Sequence, residues 1–90
     1  MLEKERWHII FTGKVQSVGF RYRSKYAADA LGLCGWVQNL WDGSVEMEVQ
    51  GEEEAIRQML SAIQTSKYIL IENIRADKVP IQAEGGFHIR

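Results

Sequence analysis

Arg6-Trp7-His8-Ile9-Ile10-Phe11-Thr12 opens the stretch that decides the fold, and Gly13-Lys14-Val15-Gln16-Ser17-Val18-Gly19-Phe20 links it to Arg21 through Leu31. The first part alternates with period two. Trp7, Ile9 and Phe11 share one face, His8 and Ile10 the other, and the β-branched and aromatic content suits a strand. After the loop the period changes. Tyr22, Tyr26 and Ala30 recur four apart, as do Ala27 and Leu31, which predicts a helix whose apolar face they form. Gly32 is placed to end it in a left-handed C-cap. A strand, a short glycine-bearing loop and a helix make the first half of a βαβ unit.

The pattern continues outward. Gly35 to Leu40 reads as a second strand, and Asp42-Gly43 is a hairpin signal. Val45, Met47 and Val49 alternate with Ser44, Glu46 and Glu48, a strand with one wet face, which Gly51 is expected to break. Glu52, Glu53 and Glu54 suit the positive end of a second helix. Its face is Ala55, Ile56, Met59, Leu60 and Ile63. A fourth strand lies within Tyr68 to Asp77. Pro80 and Gly85-Gly86 mark a loop, and Phe87 to Arg90 form a short last strand. The order β-α-β-β-α-β predicts an α+β, ferredoxin-like sandwich: one antiparallel sheet, two helices on one face, and a short extra C-terminal strand. In that topology the first and second strands are parallel with the third between them. The loop Gly13 to Phe20 and the strand end Gln38 to Leu40 then face each other across roughly 10 Å.

Composition bounds the function. The chain has 90 residues, 46% hydrophobic and 26% charged, and reads as one globular domain over 1–90. No apolar run approaches the ~20 residues of a membrane span, and the charged start, Met1 to Arg6, does not read as a signal peptide. The lone Cys34 can close no intramolecular disulfide and no CxxC site. The expectation is a reducing, cytoplasmic setting and no membrane partner. A net charge of −1 argues against a nucleic-acid binder. Charge is uneven, however. Lys14, Arg21, Arg23 and Lys25 lie between Thr12 and Ala28 with no acid, and five glutamates lie between Glu46 and Glu54 with no base. Two readings stay open on charge alone: a solvated mixed surface, or an anion site around the basic cluster.

The loop favours the second. Its glycines permit positive φ, and it runs into a helix N-terminus whose first amides lack partners. Successive amides there can form an anion-binding concavity, and Arg21 brings a planar fork suited to phosphate. The spacing is neither a Walker loop nor GxGxxG.

Gly13-Lys14-Val15-Gln16-Ser17-Val18-Gly19-Phe20-Arg21 resembles the acylphosphatase signature G-x-V-Q-G-V-x-F-R at eight of nine positions. Gly35-Trp36-Val37-Gln38-Asn39-Leu40-Trp41-Asp42-Gly43-Ser44-Val45-Glu46 is similar to that family's G-W-V-x-N-x-x-D-G-S-V-E, and Phe87-His88-Ile89-Arg90 to its closing F-x-I-R. The resemblance implies hydrolysis of acyl phosphates to a carboxylate and inorganic phosphate with no metal or organic cofactor, and a monomer is expected. It implies catalytic roles for Arg21 and Asn39. It implies phosphate binding by the backbone amides of Gln16, Ser17, Val18, Gly19 and Phe20.

Ser17 stands where the family usually has glycine; a φ > 0 requirement there costs ~1–2 kcal/mol. Gln38 replaces a common basic residue. Trp41, in place of a common proline, either covers the site or stands exposed on the hairpin. Ser17 and Gln38 keep open a second class, an anion-binding regulatory module without turnover. An RNA-recognition domain shares the element order but needs aromatic and basic residues on the third strand, which is acidic here. A copper carrier needs paired cysteines. No Ser/His or Cys/His pairing supports a nucleophilic hydrolase. Phe20, Tyr22 and Tyr26 read as packing residues, His8 and His88 as structural, and Cys34 as a small buried hydrophobe. Arg23 and Lys25 read as field charges that do not touch the ligand.

Overall fold

The computed structural model describes residues 3–90. Along the chain run β1 (Lys4–Lys14), α1 (Phe20–Leu31), β2 (Cys34–Asn39), β3 (Val45–Glu52), α2 (Glu53–Gln64), β4 (Leu70–Val79) and β5 (Phe87–Ile89). The sheet order is β4-β1-β3-β2-β5. Both β1 and β2 pair antiparallel to β3, so they run parallel with β3 between them, as the element order requires. All pairings are antiparallel except the last, where β5 adds to β2 in parallel.

The two faces of the sheet differ chemically. Ile9, Phe11, Val37, Val45, Met47 and Val49 point toward the helices and are buried. Ile56, Met59 and Ile63 of α2 cover them, as the helical stripe predicts. The matching face of α1 is Phe20, Ser24 and Ala28, not the tyrosines. Tyr22 and Tyr26 are 60% and 70% exposed, which corrects their reading as packing residues. Four-residue spacing marks a helix face without saying which face is inside. The small Ser24 and Ala28 serve the inner one, and Phe20 alone brings a large ring to it, 4.8 Å from that of Phe11. Burying Phe20 contributes about 2–3 kcal/mol. Gly32 ends α1 at φ 70°, where a left-handed cap was expected.

Gly51 does not break β3. It pairs with Glu5 inside the ladder, and a Cβ there would run into the Leu33 side chain. The glycine marks a close approach, not a turn. Cys34 is half-buried rather than enclosed.

β4 and β5 lie on opposite edges, so segment 80–86 must cross the sheet. It crosses the face away from the helices. Gln50 Nε2 donates to Gln82 O at 2.9 Å, and Gln82 N donates to Gln50 Oε1 at 2.9 Å. The crossing buries Arg6 to 1% exposure. Its Nε donates to Glu48 Oε1 at 2.7 Å and its Nη1 to Gln50 Oε1 at 3.2 Å. Glu84 Oε1 lies 2.8 Å from Arg6 Nη2, a charge contact without hydrogen-bond alignment. Beside it, Glu46 accepts from Gln38 Nε2 at 2.6 Å and sits 2.7 Å from His8 Nε2. His8 is therefore tied to Glu46, and the acid-rich third strand finds partners on its own sheet. Among the described residues, no helix is long and apolar enough to cross a membrane.

Candidate active site

The β1–α1 loop is anchored at both ends. Val15 is 1% exposed and Phe20 2%, so residues 16–19 must bridge two fixed points. The bridge needs two left-handed residues: Ser17 at φ 59° and Gly19 at φ 80°. The Ser17 position does require positive φ, and a serine takes it. Gly19 is also the N-cap of α1, with no side chain capping the helix and no acid in its first turn. The amides that open α1 are thus left for water or a ligand, and the positive end of the dipole is uncompensated.

Gln16 fixes where this loop sits. Its Nε2 donates to Leu40 O at 2.7 Å and to Ser44 O at 2.8 Å, clipping the loop to the β2–β3 turn. That turn is itself rigid. Leu40 N donates to Ser44 O, and Gly43 N to Leu40 O. Asp42 Oδ1 accepts from Ser44 Oγ at 2.6 Å and Ser44 N at 3.0 Å. The Ser44 hydroxyl and then its amide hold the Asp42 carboxyl below its ordinary value. The Gln16 side chain is the clearest feature that sequence reasoning missed. A glutamine in a loop bordered by two buried hydrophobes, opposite a tight turn, was the available signal.

The clip brings β2's end and α1's start to one cavity of about 200 Å³. Val15, Ser17, Gly19, Phe20, Arg21, Tyr22 and Asn39 line it. Asn39 ends β2, on the same face as buried Val37, so its carboxamide points to the helix side at the open end of the sheet. Arg21 is half-buried in the first turn of α1, and its Nη1 donates to Arg90 O at 3.1 Å. Arg90 is held in turn: its amide donates to Val37 O at 2.8 Å, and its guanidinium lies 4.3 Å from the centre of the Trp36 ring. Arg21 makes one hydrogen bond, to Arg90 O. Most of its donors stay free for a ligand.

Of the candidate residues, Ser17, Gly19, Phe20, Arg21 and Asn39 line this cavity; Gln16 and Val18 belong to the same loop. Trp41 is 97% exposed on the hairpin and does not line it. Gln38 points to the other face, toward Glu46. Arg23 is turned to α2, donating to Ala62 O and Thr65 Oγ1, so it too stands off the cavity. Among the described residues no three His, Cys, Asp or Glu side chains converge as metal ligands. The arrangement suits a small tetrahedral anion: a guanidinium fork, an amide-rich turn and a helix start on one side, a carboxamide on the other.

The family model described as Acylphosphatase matches residues 7–89. An acylphosphatase of Synechococcus sp. is 38% identical over 88 residues, covering 97% of this chain and 98% of its own. One from Geobacillus kaustophilus is 50% identical over 60 residues, 67% of this chain and 64% of its own. The crystal structure of acylphosphatase from Bacillus subtilis superposes with a TM-score of 0.88 at 33% identity, over 96% of this chain and 98% of that one.

Proposed function

The chain belongs to the acylphosphatase family, and from that premise we propose how its residues divide the hydrolysis of an acyl phosphate. The substrate is a mixed anhydride with a good carboxylate leaving group, so little acid assistance is needed. Water attacks phosphorus, the phosphorus–oxygen bond to the acyl group breaks, and a carboxylate and inorganic phosphate leave. Catalysis then rests on position and on charge stabilisation over the equatorial oxygens. The amides of Gln16, Ser17, Val18, Gly19 and Phe20 and the Arg21 guanidinium hold those oxygens. Asn39 offers a carbonyl acceptor and an amide donor, which orient the attacking water without acting as a base. A phosphoryl oxygen takes the proton.

The observation that carries this reading is the Gln16 clip, since it seats the loop against the turn that follows Asn39 and leaves one cavity lined from both sides. The Ser17 and Gln38 departures take nothing from that cavity. Ser17 keeps the left-handed turn, and Gln38 bonds Glu46 on the other face of the sheet.

The test is hydrolysis of benzoyl phosphate by purified protein with chelator present. Wild type turns over, whereas Arg21→Ala and Asn39→Ala each lose on the order of 10²–10³-fold in kcat while keeping the native circular dichroism spectrum. Equal rates in wild type and both variants would overturn the residue roles. Ligand binding without turnover would instead favour the regulatory module. We propose further that residues 1–90 act as one domain and that the protein works as a cytoplasmic monomer; the half-buried Cys34 and the absence of any membrane-length helix among the described residues are compatible with that setting.

A further inference from the structure

The cavity of about 200 Å³ is lined chiefly by the loop, the helix start, Arg21 and Asn39, the groups assigned to the phosphoryl oxygens and the water, so the acyl group is left to the surface beside it. Next to it runs a more open groove of about 370 Å³ between α1 and β5, lined by Tyr22, Lys25, Tyr26, Phe87, His88 and Ile89. Tyr22 lines both hollows. The β5 wall leads on from Ile89 to Arg90, whose O accepts from Arg21 Nη1. The groove therefore adjoins the phosphate cavity at Tyr22.

Its chemistry is aromatic and apolar. The charged and polar groups in it already have partners. Lys25 Nζ is 3.1 Å from Asp29 Oδ2 and donates to Phe87 O at 3.0 Å. His88 Nε2 is 2.9 Å from Gly85 O. What remains on offer is the pair of phenol rings, one helical turn apart and more than half exposed, over Ile89 and the buried Phe87. Two large aromatics left side by side in water beside a reaction site are unsatisfied apolar surface. The helix fold places them there at i and i+4.

We infer that this groove is the acyl subsite, with Tyr22 and Tyr26 stacking on the substrate's acyl group, and that the enzyme favours flat aromatic acyl phosphates over short aliphatic ones. The inference rests on the phosphate-site reading above but adds the part of the substrate that reading leaves unplaced. Tyr22 is the residue nearest the reacting carbonyl, and Tyr26 grips the far edge of a ring.

The test avoids turnover altogether. Phenacylphosphonate and acetonylphosphonate are the non-hydrolysable methylene isosteres of benzoyl and acetyl phosphate, and titration calorimetry gives Kd for each. Wild type binds the aromatic one roughly five- to ten-fold tighter, the range of a favourable aromatic pair. Tyr26→Ala, which lines the groove but not the phosphate cavity, cuts that preference to about two-fold. It leaves Kd for acetonylphosphonate unchanged. Tyr22→Ala erases the preference, and Tyr22→Phe restores it. Equal affinity of wild type for the two ligands, or a preference that survives both alanine variants, would overturn the subsite. Arg21→Ala separates the two readings: it weakens both ligands alike if Arg21 binds phosphate. Unchanged binding in that variant counts against the phosphate site and not against the groove.

Discussion

The two helices begin in opposite ways. α2 starts at Glu52 and carries Glu53 and Glu54 in its first turn, so its own side chains compensate its positive end. α1 starts at a left-handed glycine with no cap and no acid, so nothing in the chain compensates its end. The two buried or half-buried arginines repeat the contrast. Arg6 is enclosed by Glu48, Gln50 and Glu84, while Arg21 makes a single hydrogen bond, to Arg90 O. Positive charge that the fold neutralises is architecture, and positive charge that it leaves open is available to a ligand. The molecule sorts the two by face and by edge: self-compensated groups sit on the sheet's far face or at the α2 start, open ones where β1 and β2 end.

Substituting the closed arginine tests the structural side of this contrast and has the largest expected effect. Arg6→Ala leaves the Glu48 and Glu84 carboxylates under segment 80–86 without their cation, and both are about four-fifths buried. Breaking such a group costs about 3 kcal/mol, read as a lower denaturant midpoint, while kcat/KM of the folded protein stays at the wild-type value. A loss of activity without loss of stability would show that Arg6 does more than hold the crossing.

The open arginine behaves in the reverse manner. Inorganic phosphate at about a hundred times its Kd stabilises wild type by ~2.7 kcal/mol through mass action. Arg21→Ala alone leaves the ligand-free midpoint nearly unchanged but removes most of the phosphate-dependent gain, as thermal scans with and without phosphate would show. A full phosphate response in that variant would mean the open helix end alone binds the anion.

The clip lies between these extremes. Gln16→Ala removes two hydrogen bonds from one nitrogen and loosens the loop from the turn that follows Asn39. The expected stability loss is about 1 kcal/mol. The expected loss in kcat/KM is about ten-fold, because positioning is sensitive to small displacements. Stability loss with an intact rate would show that the loop holds its place through Val15 and Phe20 alone.

Much of this was legible before any coordinates. Alternation in Trp7, Ile9 and Phe11, the stripe Ile56, Met59 and Ile63, and the Asp42-Gly43 turn gave the element order, and that order brings residues 13–20 and 38–40 to one sheet edge. The pairing of Arg21 with Asn39 needed the motif resemblance as well, since an arginine after a glycine and an asparagine before a turn are each ordinary. What stayed hidden shares one cause: it depends on contacts between segments with no common period. The inner face of α1 could not be told from its tyrosine face by spacing. Gly51 looked like a breaker because Leu33, which occupies its missing side chain's space, comes from another element. Arg6 looked like a strand-end charge because the segment that buries it is an irregular loop more than seventy positions on. Segment 80–86 carries no pattern that announces a crossing, only Pro80 and a pair of glycines at its ends.

The smallest effect concerns the half-open groups of the far face and tells whether they belong with Arg6. The hydrogen bond from His8, and next the one from Gln38, hold the Glu46 carboxyl below its ordinary value, against the opposing pull of burial. A carboxyl whose folded pKa is lowered binds protons more weakly than it does in the unfolded chain. Its stabilisation is therefore fully present above the ordinary glutamate range and fades as pH falls through the lowered folded value. Because Glu46 retains about a fifth of its exposure, the contribution is only a few tenths of a kcal/mol. Glu46→Gln keeps the shape and removes the titration. Chemical denaturation across the acid range should show a slightly shallower fall in stability for this variant, with both proteins converging once Glu46 is protonated. Identical acid limbs would place the His8–Glu46–Gln38 chain among solvated surface charges. A steeper wild-type limb places it with the closed arginine, as a second stitch on the face that the site does not use.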